Sequence, residues 1–169
     1  APKNIPNGKK KIAVIEEFIT EGVDPGVRNV VENAIRVYEK SGYVIEKISL
    51  PMIKYALAIY YVVIPAEISS NLSRYDGIRY GNRAEGLMGL EEVYAKTRSN
   101  GFMPENKRRI MIGNYVLSSG YFDAYYQKAQ KARTLLIKEF TKALDNYDAL
   151  IGPVAPTPAF KIGSKSSDL

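Results

Sequence analysis

A chain of 169 residues, 46% hydrophobic and 25% charged, has enough apolar content to bury a sizeable core as one domain. With no cysteine and no histidine, it holds no disulfide framework, thiolate zinc site, cysteine nucleophile, Ser-His-Asp triad, imidazole base or HExxH metal site. Any nucleophile is then Ser, Thr, Lys or a carboxylate, and the formal charge of +6 favours an anionic partner such as tRNA only weakly, being more often a solvated surface.

The opening APKNIPNGKKK lacks the apolar core of a signal peptide. No uninterrupted apolar run reads as long enough to cross a bilayer, so a cytoplasmic protein with no membrane partner is expected. KIAVIEEF (11–18) has the apolar core of a strand. DPGVRNVVENAIRVYEKSG then carries helix punctuation: Asp24 to cap, Pro25 for the first turn, Gly42 for a left-handed stop. Val27, Val30, Val31, Ala34 and Tyr38 fall on one face at helical spacing. YVIEKISLP follows as a second strand, so the segment reads as a βαβ unit with parallel strands.

YALAIYYVVIPAEISSNLSRY is apolar in its first half and helical in period, and Pro65 predicts a kink or restart near Tyr61. Residues 76–89, with Gly77, Gly81, Gly86 and Gly89, read as a loop. LEEVYAKTRSNG is a short helix expected to stop at Gly101. Residues 105–117 and 121–146 read as two further helices separated near Gly120. The second has an expected inward stripe of Tyr121, Ala124, Tyr125, Ala132, Leu135, Leu136, Phe140 and Leu144. YDALIGPVAPTPAF reads as a short buried strand, Ala149 to Ile151, entering a proline-rich turn, and KIGSKSSDL as a polar, loose end. The class is α/β: a βαβ unit, several helices and a short buried strand. Three strands are too few to close a sheet, which points to a piece of a larger one.

Ser118-Ser119-Gly120 and Ser69-Ser70-Asn71 are candidate nucleophile turns, but neither follows a strand or sits in a Gly-x-Ser-x-Gly elbow. Serines bonding to nearby backbone at helix ends explain both more simply. The tyrosines interleaved with Lys128, Lys131 and Arg133 are able to stack bases, yet helical spacing favours a core with a solvated face. Arg109 shares a stripe with Ile112, Gly113 and Val116, and Arg108 a similar one with Met111, Ile112 and Tyr115. A half-buried arginine needs a carboxylate, either internal or from a ligand. Periodicity alone does not choose between the two arginines, and it favours an internal ion pair over a substrate clamp.

YYVVIPAEISSNLSRYDGIRYG (60–81) and NKRRIMIGNYVLSSGYFDAYYQKAQKARTLL (106–136), taken together, resemble the amidase signature family, and within it the glutaminase subunits of tRNA-dependent amidotransferases. EGVDPGVRNVVENAIRVYEKSGYVIEKISLP and DALIGPVAPTPAFKIG fit in the same order, so the resemblance covers nearly the whole chain. It implies an incomplete amidase-signature fold: residues 1–169 form a partial domain without the catalytic N-terminal part and the final sheet strands. The family's triad of a lysine and two serines lies in a Gly- and Ser-rich region upstream, and no Gly-Gly-Ser-Ser-Gly run occurs here. No catalytic residue is therefore assigned.

By the same resemblance, Tyr60 and Arg109 correspond to glutamine-binding positions. The implied activity is glutamine hydrolysis through a serine acyl-enzyme. The ammonia serves to convert Glu-tRNA(Gln), Asp-tRNA(Asn) or both to Gln-tRNA or Asn-tRNA. The implied partners are the B and C subunits. Aminoacyl-tRNA, ATP and magnesium are handled by the partner, with no cofactor in this chain. A small-amide hydrolase of the same family and a non-catalytic basic tRNA-binding module are the alternatives.

Overall fold

The computed structural model describes residues 10–165; residues 1–9, on which most of the signal-peptide reading rests, and 166–169 of the polar tail lie outside the described residues. In chain order the elements are β1 (Lys11–Ile15), α1 (Pro25–Lys40), β2 (Val44–Ile48), α2 (Ala56–Leu72), α3 (Leu90–Gly101), α4 (Pro104–Leu117), α5 (Lys128–Asn146) and β3 (Ala149–Ile151). Short 3₁₀ turns lie at Glu16–Phe18 and Pro51–Tyr55, and a π-helical turn at Phe122–Gln127. The described residues form two compact units, one of residues up to 54 together with those from 136 onward, the other of residues 55–135.

The first unit holds a parallel sheet of order β2-β1-β3, with Lys11 opposite Val44 and Ile12 opposite Ala149. The α/β class and the βαβ unit expected from the sequence are both present. β1 is the central strand, and Ile12, Ala13, Val14 and Ile15 are all buried. Successive strand residues point to opposite faces, so both faces of β1 are covered, as parallel pairing requires. Asp148 fixes the entry to β3: its side chain accepts from the Lys11 amide at 2.7 Å and its own amide donates to the Lys11 carbonyl at 2.8 Å. Ile15, Leu50 and Ala143 form the buried core, with Phe18, Ile48, Ile53, Phe140 and Leu150 packed around them. Each fully buried aliphatic side chain there stabilises by roughly 1.5–3 kcal/mol. β3 itself is half-buried rather than buried, Ala149 being exposed.

α1 begins as its punctuation predicts. Asp24 accepts from the amides of Gly26 at 2.8 Å and Val27 at 3.3 Å, Pro25 occupies the first turn, and Gly42 follows the helix at φ 88°. Its covered face is rotated from the expected one, with Arg28, Glu32 and Ile35 half-buried as well. Val27, Val31 and Ala34 are half-buried, but Val30 and Tyr38 are exposed. Val30 lies about 100° from Val31 around the axis, beyond the edge of the stripe facing the sheet.

The second unit is helical and centres on α2 packed against α4. α2 does not restart at Tyr61; it runs unbroken through Pro65. The carbonyl deprived of its helical donor belongs to Tyr61, an exposed residue. The packed neighbour is Gly113 of α4, where a Cβ would stand 2.0 Å from the Pro65 carbonyl oxygen. Only a glycine permits this approach. The stretch Pro51–Leu72 has the length and mean hydropathy of a bilayer span by composition alone, but Lys54 and Glu67 interrupt it, so no uninterrupted apolar run of that length is present in it. Within the second unit α2 buries Ile59, Val63, Pro65, Ala66 and Ser69.

Residues 76–89 are a loop, as expected, with Gly77 and Gly81 at positive φ, and the loop begins three residues earlier than expected because α2 ends at Leu72 rather than continuing to Tyr75. α3 ends at Gly101 without a left-handed residue; extended Phe102 stops it, donating to the Arg98 carbonyl. The expected stripe on 121–146 is corrected more heavily. Tyr121, Ala124, Tyr125, Leu135 and Leu144 are exposed, whereas Ala129 and Ala143 are buried and Ala132, Leu136 and Phe140 half-buried. The π turn widens the helix by one residue per turn, so a single 3.6-residue period does not carry across it.

Candidate functional site

Tyr60 stands in the second turn of α2 and Arg109 in the second turn of α4. The Gly113–Pro65 contact brings these helices close enough for the two side chains to meet: an Arg109 Nη1–H donates to the Tyr60 hydroxyl at 3.0 Å. The guanidinium carbon also lies 5.9 Å from the centre of the Tyr60 ring, within cation–π range. One turn before Arg109, in the acidic first turn of α4, is Glu105. Its Oε1 accepts from Arg109 Nε at 3.0 Å, and its Oε2 lies 3.0 Å from Arg108 Nη1.

Helical spacing makes this trio. Residues three and four apart share a face, so a glutamate at 105 reaches both 108 and 109. The two arginines differ in environment, the Arg109 side chain being 28% exposed and Arg108 49%. Of the Arg109 stripe, Gly113 and Val116 are buried and Ile112, shared with the Arg108 stripe, is exposed; Met111 and Tyr115 of the Arg108 stripe are also exposed. Hydrogen bonds to Tyr60 and then Glu105 raise the Arg109 pKa further, so the group is a permanent cation. A guanidinium has five N–H donors. Arg109 commits one on Nε and one on Nη1 to protein, and Nη2 has no bond among the described residues. The Tyr60 hydroxyl accepts from Arg109 and keeps its own proton to donate. Together they offer a planar set of donors suited to a carboxylate.

The pair assigned by resemblance, Tyr60 and Arg109, is thus brought together from positions 49 residues apart. The internal carboxylate favoured by the helical pattern is also present, as Glu105. Sequence reasoning passed over that residue, although a glutamate four residues before an arginine in PENKRR is a readable signal. The serine pairs behave as local backbone-bonding residues. Ser118 Oγ donates to the Tyr115 carbonyl at 2.7 Å and Ser69 Oγ to that of Ala66 at 2.9 Å. The tyrosines do not fill a core: Tyr115, Tyr121 and Tyr125 form an exposed ring cluster, with Tyr115 and Tyr121 centroids 4.3 Å apart. Hydrogen bonding to Tyr121 pushes the Tyr115 phenol up to about 12.

The family model described as Amidase matches residues 1–169. The chain is 55% identical over 158 residues to the A subunit of glutamyl-tRNA(Gln) amidotransferase from Geobacillus kaustophilus, covering 94% of this chain and 33% of that protein. It is 49% identical to the protein of the same name from Lactiplantibacillus plantarum, with 94% and 32% covered. The chain therefore spans about one third of the length of the curated relatives it matches. Among solved structures it is similar to the A subunit of glutamyl-tRNA(Gln) amidotransferase from Thermotoga maritima, at 34% identity and a TM-score of 0.63, covering 94% of this chain and 30% of that one. A bacterial aryl acylamidase of the amidase signature enzymes, at 16% identity and a TM-score of 0.58, shares the fold. Through the family match, these relatives and the parallel α/β unit, the chain belongs to the amidase signature family.

Proposed function

We propose that this chain forms part of the glutamine-hydrolysing component of a tRNA-dependent amidotransferase, and that Arg109 and Tyr60 hold the α-carboxylate of glutamine. The observation that carries the reading is the meeting of these two side chains across α2 and α4, with guanidinium donors left uncommitted. The names of the relatives at 49–55% identity support the same setting. Within these residues no Gly-Gly-Ser-Ser-Gly run is found, so hydrolysis through the serine acyl-enzyme is assigned to other sequence of the same component. The released ammonia would amidate Glu-tRNA(Gln), Asp-tRNA(Asn) or both, in a cytoplasmic complex with B and C subunits. The partner would supply ATP, magnesium and the principal aminoacyl-tRNA contacts.

The test is Arg109→Lys in the assembled amidotransferase. Lysine keeps the charge but replaces a planar fork with a point donor. A lost charge-assisted hydrogen bond typically costs about 1.5–3 kcal/mol, or roughly ten- to a hundred-fold in kcat/KM for glutamine. Amidation from free ammonia bypasses the pocket and should remain largely intact. Arg108→Lys should be milder. A damaging Arg108→Lys with a silent Arg109→Lys would assign the wrong arginine. Equal loss of the ammonia reaction in both would make the pair structural.

A further inference from the structure

Arg109 is not free to meet a ligand in any orientation. Its Nε–H is tied to Glu105 Oε1 at 3.0 Å and one Nη1–H to the Tyr60 hydroxyl at 3.0 Å, and two bonds from different atoms of a planar group define its plane and its rotation. Tyr60 alone would leave the guanidinium able to pivot about one contact. Glu105 removes that freedom, and it comes from the same helix, one turn back, so its position relative to Arg109 is set by backbone alone.

A carboxylate beside an anion-binding arginine ordinarily competes with the anion. Here the second oxygen of Glu105 is engaged by Arg108 at 3.0 Å. The three side chains sum to a single positive charge, two guanidinium cations against one carboxylate. Both arginines pair with the one carboxylate at 3.0 Å, so it does not cancel the charge of Arg109, which is the less exposed arginine and the one in contact with Tyr60. The Arg108–Glu105 pair is half-exposed and worth little as a stabilising ion pair, so conformational stability is a poor explanation for the arrangement.

We infer that Glu105 is a positioning residue: it orients the Arg109 fork toward a ligand carboxylate, while Arg108 pairs with its second, buried oxygen. This rests on the glutamine reading above and names the device by which that site is held in shape. Orientation and charge separate cleanly by substitution. Glu105→Gln keeps an oxygen to accept from Arg109 Nε but removes the charge, and Glu105→Ala removes both.

Two readouts test the inference. In the assembled amidotransferase, Glu105→Ala should raise KM for glutamine about ten-fold with a smaller change in kcat, the loss expected when one charged hydrogen bond no longer fixes the fork. Glu105→Gln should recover most of that loss. Where Arg109→Lys raises the glutamine KM, an unchanged or lower KM in Glu105→Ala overturns the inference, as does a Glu105→Gln as poor as the alanine variant. The second readout needs no glutamine. In the assembled amidotransferase, with the component that contains this chain ¹⁵N-labelled, the Arg109 Nε–H resonance, identified by its disappearance in Arg109→Lys, should exchange slowly with water in the parent and in Glu105→Gln and rapidly in Glu105→Ala. Rapid exchange in the parent overturns the positioning role outright. Slow exchange that Glu105→Ala abolishes, together with an unchanged glutamine KM in Arg109→Lys, supports the positioning role and refutes the glutamine reading instead.

Discussion

Glu46 shows how single side chains hold the edge of the sheet. Its Oε2 accepts from the Tyr147 hydroxyl at 2.7 Å, and its Oε1 from Lys11 Nζ at 3.3 Å, so one carboxylate ties β2 to the start of β1 and to the residue that precedes Asp148 and β3. The Tyr147 bond first, then Lys11, holds the Glu46 carboxyl below its ordinary value of 4.5 and raises the Tyr147 phenol. A depressed folded pKa means the ionised form is favoured by folding. That contribution is fully present above 4.5 and is lost as the pH falls through the lower folded value. Glu46→Gln should therefore lower stability near neutrality and flatten its decline as the pH falls below 4.5. Urea midpoints at neutral and acid pH check this, and parallel curves for parent and variant would remove Glu46 from the acid response.

For the helices, the decisive contact is Gly113 on Pro65. The closeness of α2 and α4 there sets the separation across which Arg109 reaches Tyr60. A Cβ at 113 would meet the Pro65 carbonyl oxygen at 2.0 Å and Ser69 Oγ at 2.6 Å. Backbone on one side and a buried serine on the other leave no flexible tip to give way. Gly113→Ala should destabilise by about 1–3 kcal/mol or more through overpacking, although alanine is the better helix former. A lower melting temperature is expected, with a weakened Arg109–Tyr60 contact and a raised glutamine KM in the assembled enzyme. A variant as stable as the parent would show that the helices separate at little cost. α1 teaches the converse: Asp24, Pro25 and Gly42 act locally, and its ends are where those residues put them.

For the whole chain, the sheet of described residues has order β2-β1-β3, which leaves β2 and β3 each with one unpaired edge. Large apolar side chains are also exposed, among them Leu57, Met88, Met111, Leu135, Val154 and Ile162. Unpaired parallel edges and exposed apolar surface both favour association with further chain. The isolated 169 residues should therefore self-associate with rising concentration, measured by static light scattering. A monomer at high concentration with a sharp cooperative melt would show that these edges need no cover.

Features that depend on neighbours in the chain were readable from the order of residues alone. The strand–helix–strand opening, the caps of α1, the glycine loop at 76–89 and the break at Gly120 come from backbone preferences that act within a turn or two. Composition likewise excluded histidine and cysteine chemistry, whatever the fold. Tyr60 and Arg109 were legible only through resemblance, because helical period left Arg108 and Arg109 equivalent. Tertiary structure separated them: Gly113 fits onto Pro65, α4 turns that face inward, and Arg109 meets Tyr60 while Arg108 stays at the surface. It also decided the outward-facing tyrosines. The π turn at Phe122–Gln127 breaks the period from which their burial was inferred, and a hydrophobic stripe extrapolated through it points the wrong way. Local rules set where elements start and stop; which faces meet depends on contacts between residues far apart in the chain, and no single helical period contains them.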